Sequence, residues 1–137
     1  MNNVLWSVII AAFIAQSIKI FLKMKKDKKG LTLNDFIVTG GMPSTHSAAS
    51  ASLFAIFLFE SGLSNITIFA LVFFLIVVTD AMGVRRTAGE EAQKINKIIK
   101  LEKLKLSPVH YALGHKPIDV LVGILIGFFV AIIIFIA

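Results

Sequence analysis

Long apolar runs separated by compact polar stretches set the pattern of this 137-residue chain. Four runs reach bilayer-crossing length, and they predict membrane helices over roughly residues 4–22, 43–60, 66–82 and 118–137. In the first, Gln16, Ser17 and Lys19 are the notable polar interruptions, and Lys19, near the end, is expected to snorkel to the interface. A basic stop follows, Lys23 to Lys29 ending in Gly30, and reads as a topological anchor. Leu31 to Thr39 is a connector in which Thr32 to Asp35 can cap one helical turn. The second run opens at Pro43, a residue suited to a first helical turn. Its first half is small (Ser47, Ala48, Ala49, Ser50, Ala51, Ser52) and is expected inside a bundle, whereas the bulky Phe54 to Phe59 can face lipid. The uncharged turn Ser61 to Asn65 makes the second and third runs an antiparallel pair.

The third run closes on Thr79-Asp80-Ala81-Met82-Gly83-Val84-Arg85-Arg86. Over residues 88–106 the period changes: Ala88, Ala92, Ile95 and Ile99 recur at helical spacing among Glu90, Glu91, Lys94, Lys97, Lys100 and Lys103. That pattern predicts a basic amphipathic helix lying on the membrane surface. Ser107-Pro108 ends it, and a linker with His110 and Tyr111 leads to Leu113-Gly114-His115-Lys116-Pro117-Ile118-Asp119 and the last run. There Gly123 and Gly127, four apart, offer a close-packing face.

Composition agrees: 57% of residues are hydrophobic and the mean hydropathy is +0.87. The expected fold is therefore an all-α integral membrane helix bundle. It has about four transmembrane helices plus the interfacial helix, forming a single domain over residues 1–137. The first run lacks a basic stretch before it and a small-residue cleavage site after it, so it reads as a retained helix. Absence of cysteine excludes disulfides and thiol chemistry. The net charge of +6 points to anionic lipid headgroups and not to nucleic acid, because of where it lies. All fourteen Lys and Arg residues lie at the end of the first run, in the connector after it, or between Arg85 and Lys116. The positive-inside rule then puts both long connections in the cytoplasm and both termini outside a bacterial cell membrane.

This topology brings His46, Asp80, Arg85, Arg86, His115 and Asp119 to one membrane face. Residues Thr39 to Ser47 add two glycines, Gly40 and Gly41, and the hydroxyls of Ser44, Thr45 and Ser47 around a helix N-terminus, a natural seat for an anion. The structural alternative is a well-capped helix with an interfacial histidine. Asp119, four residues after His115, can reach its ring, fix the tautomer and make the other nitrogen more nucleophilic; otherwise it complements the helix dipole. Two histidines, a carboxylate, two arginines and a helix N-terminus suit phosphoryl transfer better than a metal, and neither metal nor other cofactor is expected.

These residues resemble a family. Pro43-Ser44-Thr45-His46-Ser47 is similar to the Pro-Ser-Gly-His motif of the type-2 phosphatidic acid phosphatases and vanadium haloperoxidases, and His115-x-x-x-Asp119 to the end of their last motif. Gly41 to Ser47, Asp80-x-x-Gly83-Val84-Arg85-Arg86 and Leu113-Gly114-His115-x-Pro117 together resemble the small divergent branch of that superfamily. The resemblance implies a membrane-embedded phosphatase for a lipid phosphate or prenyl pyrophosphate, working through a phosphohistidine. It makes His115 the nucleophile, Asp119 its orienter and His46 the general acid. Ser44, Thr45, Arg85 and Arg86 would bind phosphate, with Asp80 and Gly41 in support. The wider family's Lys-Arg-Pro motif and the Ser-Arg pair before the nucleophile are absent here, so Arg85 and Arg86 would substitute from another connector. Four spans are fewer than the family's usual six, which invites a homodimer. The competing expectation is a non-catalytic module that binds anionic lipid or a partner protein. A transporter fits less well, since no ionisable residue lies near the middle of a span.

Overall fold

The computed structural model describes residues 2–27, 41–109 and 114–137, which form helices and no strand. In chain order these are α1 (Asn3–Asp27), α2 (Thr45–Ser61), α3 (Asn65–Met82), α4 (Val84–Leu101) and α5 (Pro117–Ile136). Among the described residues, Asn3–Lys25, the segment Asn65–Leu101 through its α3 part, and Pro117–Ile136 are long and apolar enough to cross a bilayer. The chain is thus a membrane helix bundle. The expected fourth span, α2, has 17 residues and is shorter than these three. It runs among them, packed against α5, α1 and α3.

Helix ends follow local chemistry. Ser44 caps α2, its side-chain oxygen accepting the N–H of Ser47 at 3.3 Å. Pro43 therefore lies just before the helix and not in its first turn. Ser64 caps α3 in the same way through Thr67. Pro117 does occupy the first turn of α5, as expected.

The tightest union is α5 on α2. A Cβ on Gly123 would overlap the Ser44 carbonyl oxygen, and one on Gly127 would overlap the Ala48 carbonyl oxygen. Only glycine lets the two backbones come this close. On α1, Ser7, Ala11, Ala15 and Lys19 are all buried and recur every four residues, so one narrow stripe faces the bundle. Ser7 and Ser52 share a 2.6 Å hydroxyl hydrogen bond across the α1–α2 contact.

Three further expectations are corrected. Phe54 to Phe59 does not simply face lipid: Ala55 and Ile56 are fully buried, Phe54 stacks on Phe74 and meets Phe128 edge-on, and Phe59 packs on Phe135. With neighbours on three sides, α2 has little lipid face to present. Lys19 does not snorkel; it is 6% exposed, because it continues the inward stripe of α1. The amphipathic helix also starts earlier and ends sooner than the pattern predicts, at Val84 and Leu101. It packs on α3 and leaves Ile95, Ile98 and Leu101 exposed. The end of the basic anchor, the turn at Thr32–Asp35, Thr39-Gly40, the His110–Tyr111 linker and Leu113 lie outside the described residues.

Candidate functional site

Four hydrogen bonds gather the polar groups at one end of the bundle. The backbone N–H of Ser44, at the start of α2, donates to the Asp119 carbonyl in the first turn of α5 at 2.9 Å. The N–H of His115 donates to the Ala81 carbonyl at the end of α3 at 3.1 Å. From α1, the Lys19 ammonium donates to Thr45 Oγ1 at 3.1 Å, and that hydroxyl donates to Gln16 Oε1 at 2.8 Å. The start of α2, the end of α3, the start of α5 and the later part of α1 therefore meet.

Between them lies a cavity of about 160 Å³, lined by His46, Ile76, Val77, Asp80, Ala81, Arg85 and His115. Its walls are apolar along α3 and polar at both histidines and the Asp80–Arg85 pair, where Arg85 Nη2 sits 2.8 Å from Asp80 Oδ2. His46 is exposed and His115 is 5% exposed, so one ring meets solvent while the other is enclosed. Lys19, Arg85 and Asp80 are near enough for their charges to act on His46.

His115 is held with its Nδ1 3.9 Å from Asp119 Oδ2. That oxygen instead accepts the N–H of Lys116 at 2.9 Å, capping α5, and His115 Nδ1 is buried without a hydrogen-bond partner. The 3.9 Å gap exceeds hydrogen-bond length by about 1 Å. Burial pushes the His115 imidazole below the ordinary histidine range, and the Lys19 ammonium acts in the same direction. Asp119 and a hydrogen bond with the Gly41 backbone oppose them. A neutral ring at neutral pH is the form that can attack an electrophile.

Residues 1–130 match the model of a family described as "Divergent PAP2 family". The chain belongs to that family. It is also 35% identical over 150 residues to the uncharacterized membrane protein YuiD of Bacillus subtilis (strain 168), covering 97% of this chain and 94% of that protein. No solved structure matches the chain.

Of the family-like residues, the structure gathers His46, Asp80, Arg85 and His115 around the cavity, with Asp119 behind His115. Gly41, with φ of +85°, lends its backbone to the His115 ring. Others point elsewhere. The Ser44 hydroxyl is fully buried and spent on Ser47, and Thr45 is engaged by Lys19 and Gln16. Arg86 pairs with Glu90 along α4 at 3.0 Å and does not line the cavity. The residue that reading the spans missed is Lys19. The available signal was its register, four residues beyond Ala15 on the same stripe as Ser7 and Ala11. Among the described residues no group of three or more His, Asp or Glu is arranged to hold a metal.

Proposed function

We propose that this protein is a membrane-embedded, metal-independent phosphatase, a single phosphatase-like domain acting on a lipid phosphate or prenyl pyrophosphate. The observation that carries the reading is the cavity that both histidines and Arg85 share, with the buried Lys19 ammonium near enough for its charge to act on both rings. As substrate enters, His115 Nε2 leaves the Gly41 backbone, the ring proton shifts to Nδ1, and Nε2 attacks phosphorus; the bond from phosphorus to the leaving oxygen breaks as His46 gives that oxygen a proton. Water, deprotonated by His46, then attacks the phosphohistidine, releasing inorganic phosphate and restoring His115. Arg85 and Lys19 counter the charge that gathers on the phosphoryl oxygens. Asp119 closes on His115 Nδ1–H when the ring becomes cationic.

A second, apolar cavity of about 490 Å³ supports a lipid substrate; α3 and α5 form it from Val78, Met82, Pro117, Ile118, Val120, Leu121 and Ile124. His115, Lys116 and Pro117 are consecutive, so headgroup chemistry and an apolar seat lie side by side. By the positive-inside rule this end of the bundle faces the cytoplasm of a bacterial cell. The 3.9 Å gap between His115 and Asp119 favours a second reading, a non-catalytic module that binds anionic headgroups on the same scaffold.

Phosphate release by purified protein in detergent separates the two. The substrates are phosphatidic acid, phosphatidylglycerophosphate and prenyl mono- and diphosphates, with EDTA present. Release that survives EDTA, vanishes in His115→Ala and falls about 100-fold or more in His46→Ala for poor leaving groups supports the enzyme. Binding of phosphatidic acid vesicles without release from any substrate supports the module.

A further inference from the structure

The hydrogen-bond ladder of α3 breaks at Gly83. The Gly83 N–H is the last to bond back, to the Thr79 carbonyl, and the next is the Thr87 N–H, to the Gly83 carbonyl. In that gap the Ala81 carbonyl accepts the backbone N–H of His115. One turn further along, Gly114 lies directly on the backbone of Arg86: a Cβ there would meet the Arg86 Cα and Cβ at 2.5 and 2.7 Å. Three turns on, the Asn96 side chain grips the same returning segment with both ends of its amide. Its Nδ2 donates to the Val109 carbonyl at 2.9 Å, and its Oδ1 accepts the Val109 N–H at 2.7 Å. Ala81, Arg86 and Asn96 thus meet the segment before α5 in reverse order, at His115, Gly114 and Val109.

The helical rod of α3 and α4 therefore meets the returning chain at three marks, His115, Gly114 and Val109. Two of its marks are backbone contacts, one of them open only because Gly114 has no side chain. The third is Asn96, whose amide copies the paired donor and acceptor of a backbone. We propose that Asn96 is a positioning residue: its two-pronged hold on Val109 fixes where the returning chain leaves α4 and so the depth at which His115 enters the cavity. The kinetic side of this inference rests on His115 being the nucleophile; the structural side does not. Asn96 does not line the cavity; its side-chain hydrogen bonds are to Val109, six residues before His115.

The test is labelling with diethyl pyrocarbonate in detergent, read at each histidine by tandem mass spectrometry, alongside steady-state kinetics. His115 is enclosed and His46 exposed, so His46 is the internal reference. Asn96→Ala is expected to raise the labelling rate of His115 at least fivefold and leave that of His46 within twofold. Asn96→Asp keeps the acceptor for the Val109 N–H, loses the donor, and is expected to fall between; it also serves if Asn96→Ala does not fold. In the kinetics, kcat falls about ten- to a hundredfold while KM stays within twofold, as expected when reacting atoms are misplaced and binding is kept. Val109→Ala, which leaves the gripped backbone in place, changes neither readout. Unaltered His115 labelling in both Asn96 variants overturns the proposal, as does a Val109→Ala effect equal to that of Asn96→Ala. If wild-type protein releases no phosphate from any substrate, the phosphatase reading falls and labelling alone decides the role of Asn96.

Discussion

Gly127→Ala tests the packing on which the site depends. The new methyl would overlap the Ala48 carbonyl oxygen and lie 2.9 Å from both Ala51 Cβ and Ser52 N. Two of these three atoms are α2 backbone, held by its own helix, so they do not yield as a side-chain tip would. Carbon contacts are comfortable near ~3.5–4.0 Å, so α5 has to retreat from α2 by about 1 Å at this level. Overpacking on that scale costs ~1–3 kcal/mol, and the rigid neighbours argue for the upper end. Alanine in place of glycine inside a helix returns about 1 kcal/mol through helix propensity. A net loss of about 2 kcal/mol remains.

For a domain of this size that loss corresponds to a Tm lower by roughly 8 °C. Thermal unfolding in detergent, followed by circular dichroism, measures it. Leu125→Ala is the control, because Leu125 is 60% exposed on the lipid-facing side of the same helix. The same wedge at Gly123 falls one turn closer to Asp119, against the Ser44 carbonyl. There, Gly123→Ala is expected to lower kcat by on the order of 100-fold as Asp119 and His46 move apart. A Gly127→Ala protein that melts at or above the wild-type temperature refutes the reasoning, since α5 would then not lie on α2 at glycine distance.

Four further outcomes follow from the site. Arg85→Met is expected to raise KM about tenfold or more while Arg86→Met leaves it within about twofold, because Arg85 lines the cavity and Arg86 is paired with Glu90; steady-state phosphate release compares them. Lys19→Met removes a cation that holds the His115 pKa down, so the acid limb of the kcat/KM profile moves to higher pH. Native stability tied to neutral His115 is present above the ordinary histidine value of ~6.5 and is lost as pH falls through the lowered value; Tm measured across that range in wild type and His115→Gln, which cannot charge, detects it as a steeper acid loss in wild type. Asp119→Asn is expected to lower kcat more than KM, and equal changes in both would show Asp119 holding the helix start alone.

How much of this was legible in the sequence depends on the range of the physics involved. Helix ends were close to readable because they are local: Ser44 three residues before Ser47, Pro117 in a first turn, Gly62 after Ser61. The meeting of His46, Asp80, Arg85, His115 and Asp119 was readable from spans alternating in direction and from where the basic residues fall. The choice between Arg85 and Arg86 was not, because neighbours on a helix differ by about 100° around its axis. Which one faces the cavity is set by the break at Gly83, a backbone feature with no residue pattern of its own. The separation of His115 from Asp119 was also beyond reach: an i,i+4 spacing permits contact, but here the carboxylate caps α5 on Lys116 N–H.

Lys19 and Asp119 show why stripe register carries more than span hydropathy. On α1 the inward stripe is Ser7, Ala11, Ala15, Lys19; on α5 it is Asp119, Gly123, Gly127, Ala131. Small residues on such a stripe draw helices together, so a polar residue continuing it by one turn is delivered to the same seam. Because α1 and α5 run in opposite senses, the seams that begin with Asp119 and end with Lys19 finish at one end of the bundle, where α2 also starts. Lys19 and Asp119 do not pair: the ammonium takes a neutral hydroxyl on Thr45 and the carboxylate takes a backbone N–H. The two charges act on each other through space, and both act, in opposite directions, on the His115 ring beside them. Close packing and charge placement are thus one device. The glycines and alanines that let the helices touch also decide which charges act on the His115 ring.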